Sequence, residues 1–193
     1  MISSKTDYFD YLNKDKIALG MKTHSLASKI INILSPNPIW TFQKALRKLE
    51  YYTNCKNKGF FKLYKLYLQF KFKKISLKLG FSIPINVFGP GLAIVHYGTI
   101  VVNNATRVGK NCRIHACVNI GASGGEKEAP LLGDNIYIAP GAKIYGNIKI
   151  ANNTAIGANA VVNKSFDKEH TMIAGIPARV INDIDIKKII KHI

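Results

Sequence analysis

Between Tyr51 and Gly125 the chain has no aspartate and no glutamate, against nine lysines and two arginines. Acid is scarce throughout: 11 Asp and Glu face 28 Lys and Arg in 193 residues, a formal charge of +17. Such a surface attracts anions: coenzyme phosphates, anionic lipid or nucleic acid. A Lys-, Asn- and Ile-rich composition raises the charge without any partner, and no RNA- or DNA-binding motif accompanies it. Nucleic acid is therefore not among the expected partners. Cysteine is also scarce. Cys55, Cys112 and Cys117 are an odd number without metal-ligand spacing. Cys112 and Cys117 are expected as reduced core thiols, which places the protein in the cytoplasm. No basic-then-apolar leader opens the chain, and no uncharged apolar run is long enough to span a bilayer.

What the chain has in quantity is an aliphatic residue at every sixth position. Val102, Val108, Ile114 and Ile120 form one run, and Leu132, Ile138, Ile144, Ile150, Ile156 and Val162 continue it in phase. A helix repeats near 3.6 residues and a strand near 2, so a period of six fits neither. It fits a hexapeptide solenoid, in which each hexapeptide is one flat face of a triangular coil. The aliphatic residue fills the interior, and Gly often stands at the corner that follows, as in Val108-Gly109, Ile120-Gly121 and Ile156-Gly157. The segment 122–131 interrupts the repeat with Gly124-Gly125, two Glu and Pro130. Loops on a rigid solenoid carry function.

The rest of the chain reads as appendage. Residues 1–80 are a helical N-terminal region, with a break at Ser35-Pro36-Asn37-Pro38. A short helix is expected from Trp40 to about Tyr52, and another from Phe60 to Leu79, closed by Gly80. Lys62, Lys65, Gln69, Lys73 and Ser76 share one face of the second helix at 100° per residue, and much of the remainder is apolar. Two readings are open for it: packing on the protein with its lysines in water, or peripheral attachment to the inner face of an anionic membrane. Residues 81–180 form the coil. Residues 181–193, with Ile at 181, 184, 186, 189, 190 and 193, are expected as a short capping helix. The fold expected is mainly β: a left-handed parallel β-helix with an N-terminal α-helical segment and a short C-terminal helix.

The strings Gly91-Leu92-Ala93-Ile94-Val95-His96-Tyr97-Gly98-Thr99-Ile100-Val101-Val102, Val118-Asn119-Ile120-Gly121, Ile138-Ala139-Pro140-Gly141-Ala142-Lys143-Ile144 and Ala174-Gly175-Ile176-Pro177-Ala178-Arg179 carry a family resemblance. Residues 89–180 resemble the hexapeptide-repeat acyltransferases of the serine acetyltransferase branch, most strongly members that act in polysaccharide biosynthesis. The resemblance implies acetyl-CoA as co-substrate, a homotrimer, and His96 as the catalytic base. His115 lies 19 residues on, about one coil further, and is the rival. A structural role, binding the acceptor or orienting His96 are all open to it. His24, His170 and His192 look incidental. On the donor side the resemblance assigns Gly121 and Ala122 to the turn facing the thioester. It assigns Ala139, Pro140, Gly157 and Ala158 to the pantetheine groove, and Lys164 and Arg179 to the coenzyme phosphates. Ordinary corner geometry also calls for small residues. No metal site is expected, because coil-type carbonic anhydrases bind zinc through three His and this coil holds two.

Departures from the branch lie on the acceptor side. Residues 81–95 hold no acid that could orient the histidine, so Asn86, Ser82, Tyr97 or a backbone carbonyl would take that role. Val95 stands where the family has an acid, and Glu128-Ala129 stand before Pro130 where it has an Arg-His pair that holds the amino acid. The expected activity is therefore O-acetylation of a sugar or glycan hydroxyl in capsule, exopolysaccharide or O-antigen synthesis. The alternatives are serine O-acetyltransferase and, from another class, a non-catalytic β-helix scaffold.

Overall fold

A computed structural model describes residues 1–21, 35–56 and 58–193. His24 lies outside the described residues. Helices α1 (Lys5–Ala18), α2 (Pro38–Cys55) and α3 (Phe61–Leu79) precede fourteen short strands. Helix α2 is longer than the sequence suggests because Asn37 caps it, accepting from the Trp40 N–H, with Pro38 in the first turn. Gly80, at φ 74°, ends α3 in the left-handed conformation.

The strands are β1 (Phe81–Ser82), β2 (Ala93–Ile94), β3 (Ile100–Val102), β4 (Arg107–Val108), β5 (Arg113–Ile114), β6 (Asn119–Gly121) and β7 (Leu131–Leu132). They continue as β8 (Tyr137–Ile138), β9 (Lys143–Tyr145), β10 (Lys149–Ile150), β11 (Ala155–Ile156), β12 (Val161–Val162), β13 (Thr171–Gly175) and β14 (Ala178–Asp183). They sort into three parallel walls, as a left-handed β-helix requires. Wall A runs β1-β3-β6-β9-β12, wall B runs β10-β7-β4, and wall C runs β14-β13-β11-β8-β5-β2. Among the described residues only β13 and β14 pair antiparallel. The six-residue period is the cause. Ile94, Ile114, Ile138, Ile156 and Ile173 stack inward on wall C and are fully buried. Ile120, Ile144 and Val162 do so on wall A. A buried aliphatic side chain of this size contributes about 1.5–3 kcal/mol.

Corners need positive φ. Asn111, Asn135 and Asn153 stack at one corner with φ of 58°, 58° and 57°. The Asn111 side-chain amide donates to Asn135 Oδ1 at 2.9 Å, and Asn135 donates to Asn153 Oδ1 at 2.8 Å. His170 (φ 58°) extends this corner, 3.4 Å from the Asn153 amide. Cys117 also turns a corner, at φ 63°, and is exposed. It is therefore not a core thiol. Cys112 is buried, and burial pushes its thiol pKa up.

The terminal helix is a single 3₁₀ turn, Ile186–Lys188. It begins later than Ile181 because β14 first pairs back on β13 through Asp183. Ile186 and Ile190 then pack on Ala155, with Tyr137 and Met172 beside them.

Arg47 joins the helices to the first coil and is fully buried. Its Nε donates to Asp15 Oδ2 at 2.8 Å, and Nη2 donates to Asp15 Oδ1 at 3.2 Å and Gly89 O at 2.7 Å. Nη1 donates to Glu50 Oε2 at 3.0 Å and to Phe88 O at 2.8 Å. Asp15 Oδ1 also accepts the Gly91 and Leu92 N–H groups, both at 2.9 Å. Burial alone would lower the Arg47 pKa; the two carboxylates outweigh it and hold the pKa above the ordinary value. Removing one partner from such a cluster strands a buried charge. Asp15→Ala is therefore expected to lose about 3–5 kcal/mol of stability in denaturant unfolding. A loss no larger than an exposed substitution gives would show that the cluster does not hold the helices to the coil.

Candidate active site

His96 occupies the turn from β2 to β3, at the corner between walls C and A, and its side chain is exposed. The register of wall C decides what lies below it. Ile94, Ile114, Ile138, Ile156 and Ile173 align, so each following residue aligns too. Val95, His115, Ala139, Gly157 and Ala174 make one outward column, and Arg179 pairs with Ala174 at its end. One residue further, His96, Ala116, Pro140 and Ala158 make the next. Below His96 the corner is thus a track of small side chains that ends at the exposed Arg179. Five rung spacings separate the two ends, about 24 Å at 4.8 Å each. Gly157 is required there, because a Cβ on it would lie 2.7 Å from that of Ala174.

His115 follows β5, beneath Val95. Its ring centroid lies 6.2 Å from that of His96 and 5.2 Å, edge-on, from Tyr137. Arg113 points outward two residues before it, over a cavity of about 140 Å³ that Val95, Ala93 and Asn37 also line. Among the described residues Arg113 has no carboxylate partner. Burial lowers the His115 pKa from the usual histidine value, and the Arg113 and His96 charges lower it further. His192 is lowered by burial and then by Arg113. The Nε2 atoms of both His115 and His192 are buried without a hydrogen-bond partner. One cation, Arg113, thus lies beside two imidazoles held toward their neutral form, with no carboxylate paired to it among the described residues.

Several expectations change. His192, expected away from the site, lies beside Arg113, because the C-terminal segment folds back on wall C. Sequence reasoning missed Arg113 and Tyr137, although strand alternation already puts Arg113 and His115 on one outward face. Asn86 cannot orient His96. It lies at the corner between walls A and B, where its side chain exchanges hydrogen bonds with Asn54 at 2.9 and 3.1 Å and its N–H donates to Glu50. Tyr97 is exposed beside His96. Gly121 and Ala122 are not brought to His96 within one protomer. Gly121 closes β6 at the far edge of wall A, level with Asn103 one rung above, roughly 16 Å of extended chain past Gly98. Lys164 shares that edge two rungs on, its ammonium 5.6 Å from the Phe166 ring. Among the described residues no three His, Cys, Asp or Glu converge as a metal site.

Residues 129–164 match the family profile "Bacterial transferase hexapeptide (six repeats)". A serine acetyltransferase of Staphylococcus epidermidis is 41% identical over 95 residues, 48% of this chain and 44% of the relative. The match thus spans less than half the length of that relative. By fold, a serine O-acetyltransferase from Brucella melitensis superposes with a TM-score of 0.72 at 23% identity, over 93% of this chain and 71% of that one. A serine acetyltransferase solved in complex with CoA has a TM-score of 0.67 at 25% identity, over 92% and 71%. The coil is similar to the hexapeptide-repeat transferases. These relatives overturn the expectation of a sugar acceptor in surface-polysaccharide synthesis, since those matched are named for serine.

The cluster makes a measurable demand on His115. Its imidazole should titrate below the usual histidine value, first because it is buried and then because protonation would add charge beside Arg113. In Arg113→Gln the midpoint should move upward in an NMR titration. An unmoved midpoint would show that Arg113 does not act on this ring.

Proposed function

We propose that the chain is an acetyl-CoA-dependent O-acetyltransferase whose acceptor is the hydroxyl of serine, with His96 as general base. One observation carries the reading: an exposed imidazole stands at the head of a track of small residues, and the guanidinium of Arg113, with no carboxylate partner among the described residues, lies on the next rung of the same wall beside His115 and His192. The track suits an extended pantetheine arm, with Arg179 near the coenzyme phosphates. The guanidinium suits a small acceptor that brings its own carboxylate. Arg113, His115 and His192 would take over what the Arg-His pair before Pro130 does in the resembled branch. A cavity of about 140 Å³ opens beside Arg113 and Val95, the residue before His96. Homology to enzymes named serine acetyltransferase supports the same acceptor.

The chemistry then runs in two steps. As the serine Oγ attacks the thioester carbonyl carbon, its proton passes to a ring nitrogen of His96. The carbonyl oxygen becomes an oxyanion that needs a donor, and a backbone N–H near Ala122 would supply it. The C–S bond breaks, the imidazolium returns the proton to the departing thiolate, and O-acetylserine and CoA leave. Gly121 and Ala122 stand at the opposite edge of wall A, so this arrangement needs a second copy. A homotrimer that sets the 122–131 loop of one protomer against the His96 corner of the next would complete the site, and Lys164 would come with it.

Steady-state kinetics test the roles separately. His96→Ala is expected to lower kcat by about 10²–10⁴-fold, roughly 3–5 kcal/mol of transition-state stabilisation, while acetyl-CoA still binds. Arg113→Gln is expected to raise the KM for serine by about 10–100-fold, the weight of one charged hydrogen bond, and to leave that for acetyl-CoA unchanged. Equal effects of Arg113→Gln on both substrates, or turnover that survives His96→Ala, would contradict the assignment.

A further inference from the structure

Helix α3 has two apolar faces, and the fold uses one. Leu68, Phe72, Ile75 and Leu79 pack inward; Phe72 stacks on Phe42 of α2 with centroids 5.3 Å apart. Ser76, which the lysine-face projection sets in water, is buried on this side as well. On the opposite side Leu63, Leu66, Phe70 and Leu77 are 65, 59, 64 and 73% exposed. At 100° per residue these four fall within a 60° stripe. Tyr67 and Phe60 are exposed beside it. Lys62 and Lys73 flank the stripe on one edge, and Lys71, Lys74 and Lys78 on the other, while α3 holds no acid at all.

The charge pattern selects the occupant. Pairing the stripe with a second copy of itself would set lysine rows against lysine rows, with no carboxylate on either helix to receive them. An anionic lipid surface meets both requirements: the stripe enters the acyl boundary and the lysines reach the phosphates along their own apolar stems. The neighbouring surface has the same character. Lys44, Lys48 and Lys71 line a cleft of about 390 Å³ with Tyr8, Tyr64 and Tyr67. Tyrosines of this kind favour the headgroup layer. No helix among the described residues is long and apolar enough to cross a membrane, so the contact would be peripheral.

We propose that the exposed face of α3 docks this protein on an anionic membrane surface. The carbonyl of Leu79, at the end of α3, accepts the Gly98 N–H at 3.0 Å, so the docked helix would hold the His96 turn close to that surface. The test is co-sedimentation of the full chain with vesicles of phosphatidylcholine alone and of phosphatidylcholine mixed with phosphatidylglycerol. Binding is expected only to the mixed vesicles, with release as salt shortens the screening length from about 10 Å at 0.1 M to about 3 Å at 1 M. Leu66→Glu/Phe70→Glu should weaken binding about tenfold or more, with unchanged melting and molecular mass, because both side chains are exposed. Lys62→Glu/Lys73→Glu should weaken it without touching the apolar stripe. No binding at low salt would overturn the proposal. So would binding that both variants retain, or a change of molecular mass in the Leu66/Phe70 variant, which would assign the stripe to a contact between copies.

Discussion

A coil has no interior except what neighbouring rungs enclose. Each inward residue must therefore be aliphatic and must stand directly on the one a rung away. Ile94, Ile114, Ile138, Ile156 and Ile173 meet that demand on wall C, and everything outside inherits their alignment. Once the inward column is fixed, the outward residues and the corners are columns as well. His96, Ala116, Pro140 and Ala158 share a line for the same reason that the isoleucines do. The asparagine ladder at Asn111, Asn135 and Asn153 serves the same alignment from a corner, tying rung to rung where φ is positive. The site is thus placed by packing far from it, on a scaffold that does not bend locally.

A solenoid must also end without exposing its last rung. The two ends are closed differently. At the start, α1 and α2 seal the first coil through a buried charge cluster, with all five Arg47 N–H bonds directed at Asp15, Glu50 and the carbonyls of Phe88 and Gly89. At the finish, β14 turns back on β13 and a short apolar tail covers Ala155. Both closures reach the candidate site. The first sets the level of Val95 and His96; the second carries His192 to Arg113. Two acids are spent inside the first closure, which leaves the outer surface still more basic than composition alone implies.

Much of this was legible because the six-residue period acts at every rung, so the walls and the inward set follow from spacing alone. The position of His96 follows from its motif. What the sequence hid was convergence. Arg113, Tyr137 and His192 come together from two rungs and a returning tail, and no local pattern joins them. Asn86 looked close to His96 in the chain, yet β1 and β2 lie on different walls and put a corner between them. The acceptor was misread because Glu128 and Ala129 lack the serine-holding groups, and the absence of a group in one loop does not reveal what stands on another face. The lysine face of α3 misled in a similar way: Ser76 faces the core, and the apolar stripe turned to solvent is the side that spacing alone could not rank.

The central claim is that this corner moves an acetyl group from acetyl-CoA to the serine hydroxyl. The most direct measurement is mass spectrometry of the products formed by the purified full chain from L-serine and acetyl-CoA labelled with ¹³C in the acetyl group. The account predicts O-acetylserine carrying the label, in amounts equal to the CoA released. Release of CoA with the label only in free acetate, or no turnover with serine, would contradict it.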